Sequence, residues 1–178
     1  MKQYADYTNI AYISTGSNMG DKLENCRCGL AALGQTDGVR IESVSSFYLT
    51  EPMEYADQPW FVNAAARIRT ALDPFDLLAA LKFIEQKSGR VDSGIRFGPR
   101  PLDFDIIFYN DMVLDTSMLI VPHPRLHQRE FVLRPICDLV PDLMHPVLKK
   151  TAGQLLADLQ SGGQQCIRME QTVLLSFT

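Results

Sequence analysis

The chain has 178 residues, of which 46% are hydrophobic and 21% charged, with a net charge of −4. That length and balance predict one domain, residues 1–178, with a substantial core. The acidic balance argues against a nucleic-acid-binding face, no run approaches the roughly 18 apolar residues of a membrane span, and no N-terminal targeting pattern is legible. The four cysteines, Cys26, Cys28, Cys137 and Cys166, lack paired zinc-ligand spacing and read as reduced thiols of a cytoplasmic protein.

Ile10 to Thr15 reads as a first strand, followed by turn residues Gly16 to Gly20 and a helix N-cap at Asp21. Gly16 to Lys22 lacks the spacing of a Walker phosphate loop, so a strand-to-helix turn is expected. Leu23, Cys26, Leu30 and Leu33 fall at helical spacing up to Gly34. Val39 to Leu49 alternates as a second strand, and Thr50 to Pro59 is a loop of the length that often carries function. Trp60 to Leu72 resumes extended structure, with Val62, Ala64, Ala66 and Ile68 on one face and Phe61, Asn63 and Ala65 on the other. Asn63 in so apolar a stretch is either an incidental edge residue or a hydrogen-bonding ligand contact.

Asp73 and Pro74 open a second helix as N-cap and first helical residue. Leu77, Leu78, Leu81 and Ile84 form its inward stripe, and Glu85 lies on the same face. A carboxylate there either meets a nearby cation or forms a surface salt bridge; the pattern fits both. Ser88 to Pro101 carries Arg90, Arg96 and Arg100 among three glycines, which suits a cationic lid over a triphosphate.

From Leu102 an apolar run is interrupted by two acids. On an extended strand Leu102, Phe104 and Ile106 share one face, and Asp103 and Asp105 the other, with Cα atoms roughly 6.5–7 Å apart. Alone, Asp-x-Asp is commonly a solvated strand face. Beside the Gly98-Pro99-Arg100 loop, the pair has the oxygen ligands for one or two hard cations and a guanidinium for phosphate, the parts that phosphoryl transfer needs. Asn110-Asp111 turns the chain back. Val121 to Phe131 holds a second cationic cluster. His123 and His127 stand four apart but lack the glutamate and third ligand of a zinc site, so phosphate contacts from His123 and Arg129 are expected instead. Helices over 131–140 and 151–159 and a strand over 166–177 complete the chain. Strand, helix, strand, strand, helix, strand is the ferredoxin-like βαββαβ order: an α+β fold, a mostly antiparallel sheet with helices on one face, plus C-terminal helices and a strand.

Phe97-Gly98-Pro99-Arg100-Pro101-Leu102-Asp103-Phe104-Asp105-Ile106-Ile107 closely resembles the signature of the 6-hydroxymethyl-7,8-dihydropterin pyrophosphokinases of folate biosynthesis. The likeness runs from about Ile10 to about Pro146 through Gly16-Ser17-Asn18, Ser45-Ser46-Phe47-Tyr48, Gln58 to Ala65 and Val121-Pro122-His123. It implies pyrophosphoryl transfer from ATP, as co-substrate, to the pterin hydroxymethyl group, giving AMP and the pterin diphosphate. It further implies two Mg2+ ions on Asp103 and Asp105, with Arg100 and Arg90 as catalytic arginines. Leu78, Glu85, Arg90, Arg100, Ile106, His123 and Arg129 would contact ATP. Thr50, Met53, Phe61, Asn63, Phe97 and Phe131 would contact the pterin, Phe61 and Phe131 by stacking and Met53 through its backbone. ATP and the pterin are the expected partners of a cytoplasmic monomer that binds neither nucleic acid nor membrane. Departures from the family pattern are Asp92 for a second lid cation, Phe97 for a tryptophan, and Pro124 for an aromatic. A magnesium-dependent nucleotidyltransferase on a similar sheet is the alternative, and the Trp60 to Asn63 segment speaks against it.

Overall fold

The computed structural model describes residues 7–53, 57–89, 98–159 and 165–170. Its central strand is β4 (Phe61–Thr70), which pairs antiparallel with β1 (Asn9–Ser17), with β2 (Val39–Val44) and with β3 (Tyr48–Thr50). β5 (Asp103–Tyr109) pairs with the far side of β1, and β8 (Cys166–Arg168) with β3. The order β5-β1-β4-β3-β8, with β2 also on β4, contains the antiparallel ferredoxin-like sheet. β6 (Leu114–Asp115) and β7 (Ile120–Val121) form a small separate ladder.

Alternation along the strands supplies two apolar faces. On one, Ala11, Ile13, Val62, Ala64, Ala66, Ile68, Leu102, Phe104 and Ile106 pack against α1 (Lys22–Gly34) and α2 (Pro74–Lys87). Asp21 caps α1 by accepting the Glu24 N–H at 3.1 Å, and Asp73 caps α2 by accepting from Phe75 and Asp76. Gly29 lets α1 approach the start of β5: a Cβ there would meet the Leu102 methyls at 2.7 and 2.9 Å.

The helices do not all lie on one face, contrary to the sequence expectation. α3 (Glu130–Leu139) and α4 (Ala152–Asp158) cover the opposite face, packing Val132, Leu133, Ile136 and Leu155 on Tyr12, Ala65 and Phe108. Both alternating sets are apolar along the central strands, so each needs a covering layer.

Three strands also differ in detail. The stretch 39–49 is two strands, because the backbone carries one extra residue between Val44, opposite Ala66, and Tyr48, opposite Asn63. Phe47 falls in that break and is buried. On β5 a bulge at Ile107 separates Ile106, opposite Ile13, from Phe108, opposite Tyr12. The bulge flips the alternation, sending Phe108 into the second cluster while the residues before it keep Asp103 and Asp105 off the core. The expected last strand is described only over Cys166–Arg168, and residues 171–178 lie outside the described residues.

His145, between α3 and α4, is buried edge-on against Phe108 with ring centroids 5.7 Å apart. Its Nδ1 accepts the N–H groups of Val147 and Leu148 at 3.2 and 3.1 Å. Burial, and secondarily His127, hold its pKa below the ordinary histidine value. A lowered folded pKa means that the unfolded chain binds the proton first. The contribution of His145 to stability is therefore complete above about pH 6.5 and is lost as pH falls through the folded value. Urea unfolding across that range should show a loss of stability that is smaller in His145→Ala; equal losses in the two proteins would contradict it.

Candidate active site

The C-terminal end of β3, the N-terminal halves of β4 and β5, and the segment leading into α3 enclose a cleft of about 200 Å³. Asp103 and Asp105 both line it, as alternation requires of residues two apart on one strand. At about 7 Å and an effective dielectric of about 20, two unit charges repel by roughly 2 kcal/mol, so the pair demands positive company. Arg100 supplies it, with Nη1 3.1 Å from Asp103 Oδ2. The same guanidinium lies over the Phe61 ring, 5.7 Å from its centroid. Its Nε–H is buried with no hydrogen-bond partner among the described residues. Lys82, Arg125 and Arg129 bring three further cations to the lining.

The Arg100 backbone is fixed by Asn18, whose Oδ1 accepts the Arg100 N–H at 2.8 Å and whose own N–H donates to the Arg100 carbonyl at 3.2 Å. The Asn18 amide also donates to Gln58 Oε1 and the Pro59 carbonyl, at 2.9 and 3.2 Å. One buried asparagine thus joins the loop before β4 to the loop before β5.

Across the cleft, His123 Nδ1 accepts the Arg125 N–H at 3.2 Å. Burial, the first cause, and the nearby Arg129 and Arg125 lower the His123 pKa against the raising effect of Asp105. The lowered value favours the neutral ring near pH 7. Arg129 Nη1 stands 3.4 Å from the ring Nε2. Arg125 and Arg129 beside the imidazole give this side of the cleft the cations that an anion needs. Arg129 also stacks over Phe131, 5.4 Å from the ring centroid.

The remaining wall is apolar with one amide. Asn63 is buried beside the Phe61 position, and its Nδ2 donates to Thr50 Oγ1 at 2.7 Å. Its Oδ1 lies against Gly16 on the neighbouring strand, where a Cβ would come within 2.5 Å of it. Thr50, Met53, Phe61, Asn63 and Phe131, all expected pterin contacts, share this wall.

Not every expected residue reaches the cleft. Leu78 is half-buried against the core, and Ile106 is buried within it. Glu85 is buried too, its carboxylate taken by Lys82 and by the Phe104 N–H, and it does not line the cleft. Of the two openings left for Glu85, the cation partner is the one found, and it comes from its own helix. Arg90 and Phe97 lie outside the described residues. Conversely, Lys82, Arg125, Gln58 and Gly16 line the cleft without having been singled out as site residues. Lys82 was findable, since it stands three residues before Glu85 on one helix face.

A family model described as 7,8-dihydro-6-hydroxymethylpterin-pyrophosphokinase (HPPK) matches residues 12–141. The chain belongs to this family. It is 45% identical over 131 residues to the 2-amino-4-hydroxy-6-hydroxymethyldihydropteridine pyrophosphokinase of Bacillus subtilis, covering 74% of this chain and 78% of that protein. It is 45% identical over 154 residues to the folic acid synthesis protein fol1 of Schizosaccharomyces pombe, covering 86% of this chain. The match spans only 21% of that longer protein. Among solved structures, Plasmodium falciparum HPPK-DHPS with pterin and p-hydroxybenzoate superposes with a TM-score of 0.66 at 18% identity, covering 84% of this chain and 42% of that one. At that identity the likeness is one of fold.

Gly16→Ala should push the Asn63 amide off Thr50 and weaken binding of a 6-hydroxymethylpterin ligand by about tenfold, the loss of one well-made hydrogen bond, while nucleotide binding holds. Calorimetric titration checks this, and an unchanged pterin affinity would contradict it.

Proposed function

We propose that this chain transfers an intact pyrophosphoryl group from ATP to the hydroxymethyl oxygen of 6-hydroxymethyl-7,8-dihydropterin, producing AMP and the pterin diphosphate. The observation that carries the proposal is the meeting, in one cleft, of a carboxylate pair, converging cations and an aromatic wall with a buried amide. The hydroxyl oxygen attacks the β-phosphorus, the bond from that phosphorus to the α–β bridging oxygen breaks, and AMP leaves. The hydroxyl proton passes to solvent or to a phosphate oxygen. Little covalent work falls to the protein in such a step, so positioning and charge do most of it.

The pterin sits on the Thr50, Asn63 and Phe61 wall, with Phe131 as its second aromatic contact and Met53 as a backbone contact. Asn63 offers the donor–acceptor edge that matches a pyrimidinone amide. The triphosphate lies toward His123, Arg129 and Arg125, with Arg100 on the transferring group. The family expectation adds Arg90 to the transferring group and Phe97 to the pterin. The family expectation also keeps Leu78 as an adenine contact. An adenine contact at Ile106 runs through its backbone, because its side chain is in the core.

Asp103 and Asp105 suit magnesium. They are hard oxygen donors on one side of one strand, and magnesium characteristically takes one or two carboxylates and completes its shell with phosphate and water. The Arg100 guanidinium on Asp103 shows the carboxylate already attracting a cation. Bound magnesium, two ions on the family expectation, would neutralise charge on the non-bridging phosphate oxygens. A monomer is the working unit on the family expectation. The cysteines are free thiols, which supports a reducing, cytoplasmic setting. No helix among the described residues is long and apolar enough to cross a membrane.

Asp103→Ala and Asp105→Ala should each lower kcat for pterin-dependent AMP formation by at least about 100-fold with the fold retained. Near-normal turnover in either would remove the metal assignment. Pyrophosphate released in place of AMP would instead favour nucleotidyl transfer.

A further inference from the structure

β5 is the outer strand of its sheet and, among the described residues, pairs as a strand with β1 alone. An outer strand leaves backbone N–H and C=O groups facing away from its neighbour, and these need partners when buried. The critical ones belong to Phe104, which sits between Asp103 and Asp105 and buries its ring in the core. Glu85 Oε1 accepts the Phe104 N–H at 2.7 Å. Lys82 Nζ approaches the Phe104 carbonyl at 3.5 Å, the long limit of a hydrogen bond, and holds both Glu85 oxygens at 3.0 Å. Two side chains one turn apart on α2 therefore do for Phe104 what a further strand would do.

The Glu85 side chain is only 2% exposed, whereas that of Lys82 is 46% exposed and lines the cleft. A carboxylate so buried is costly unless it is both paired and hydrogen-bonded. A surface salt bridge would stabilise the helix without that cost. What this one gains is a fixed backbone at the residue whose two neighbours face the cleft. We propose that Lys82 and Glu85 are a positioning pair, locking β5 at Phe104 so that Asp103 and Asp105 project together toward a divalent cation. The inference rests on the reading of those two acids as the metal pair. It assigns Glu85 a role behind the site and not on the nucleotide.

Reach and charge make opposite demands on Glu85, and two variants separate them. Glu85→Gln keeps an acceptor at full length and removes the charge; Glu85→Asp keeps the charge and withdraws the acceptor from Phe104. The measurement is Mn2+ binding in the presence of α,β-methylene-ATP, read as loss of the free-ion EPR signal, with near-UV circular dichroism reporting the fold. Glu85→Asp should weaken Mn2+ binding by about 10-fold or more, the usual effect of disturbing a group that orients metal ligands, and Glu85→Gln should retain most of the affinity. The reverse order, wild-type affinity in both variants, or a Glu85→Gln protein that does not fold would overturn the proposal. Asp103→Ala serves as the control. If it binds Mn2+ as well as wild type does, the metal reading itself has failed. If it does not, while Glu85→Asp binds normally, only the positioning role has failed.

Discussion

Asp103 and Asp105 repel one another, and the cleft is arranged around that repulsion. Two like charges on one side of a strand persist only where cations compensate them or a ligand brings compensation. Arg100 provides part of it within the chain, contacting Asp103 and facing the Phe61 ring. The same arrangement suits the site to cations and phosphate together. On the proposed function, the carboxylates would attract metal, the metal would attract triphosphate, and the surrounding arginines would meet its charge.

The fold serves this pair from three sides. β1 holds β5 in register up to Asp105, opposite Ser14. The Phe104 ring anchors the strand between the acids in the core under α1 and α2. Asn18 holds the Arg100 backbone, so the arginine and the acids keep a set spacing. The bulge at Ile107 falls just beyond the pair, and the strand changes its facing only after the site is built.

Much of this was legible in the residues. Alternation alone places Leu102, Phe104 and Ile106 inward and the two acids outward, and it separates Val62, Ala64 and Ala66 from Asn63, as the structure has them. Asp21, Asp73 and Thr151 are readable helix starts because capping is local chemistry. What escaped is non-local. Nothing around Ser45 announces an extra residue between Val44 and Tyr48, since a bulge is defined by its partner strand. The second helical layer follows from both strand faces being apolar, yet Tyr12 and Phe108 could each have belonged to a single core. Glu85 was visible as an inward carboxylate, but its bond to the Phe104 N–H joins residues 19 apart and depends on β5 being an outer strand.

The central claim is that Asp103 and Asp105 act together on a divalent cation bound with a triphosphate. The most direct measurement is a crystal structure with Mn2+, α,β-methylene-ATP and 6-hydroxymethylpterin, using anomalous scattering to locate the metal. The account predicts metal bonded at about 2 Å to oxygens of both carboxylates, with Arg100 moved from Asp103 to phosphate and the pterin against Asn63. Metal bound elsewhere, or either carboxylate turned out of the cleft in that complex, would contradict it.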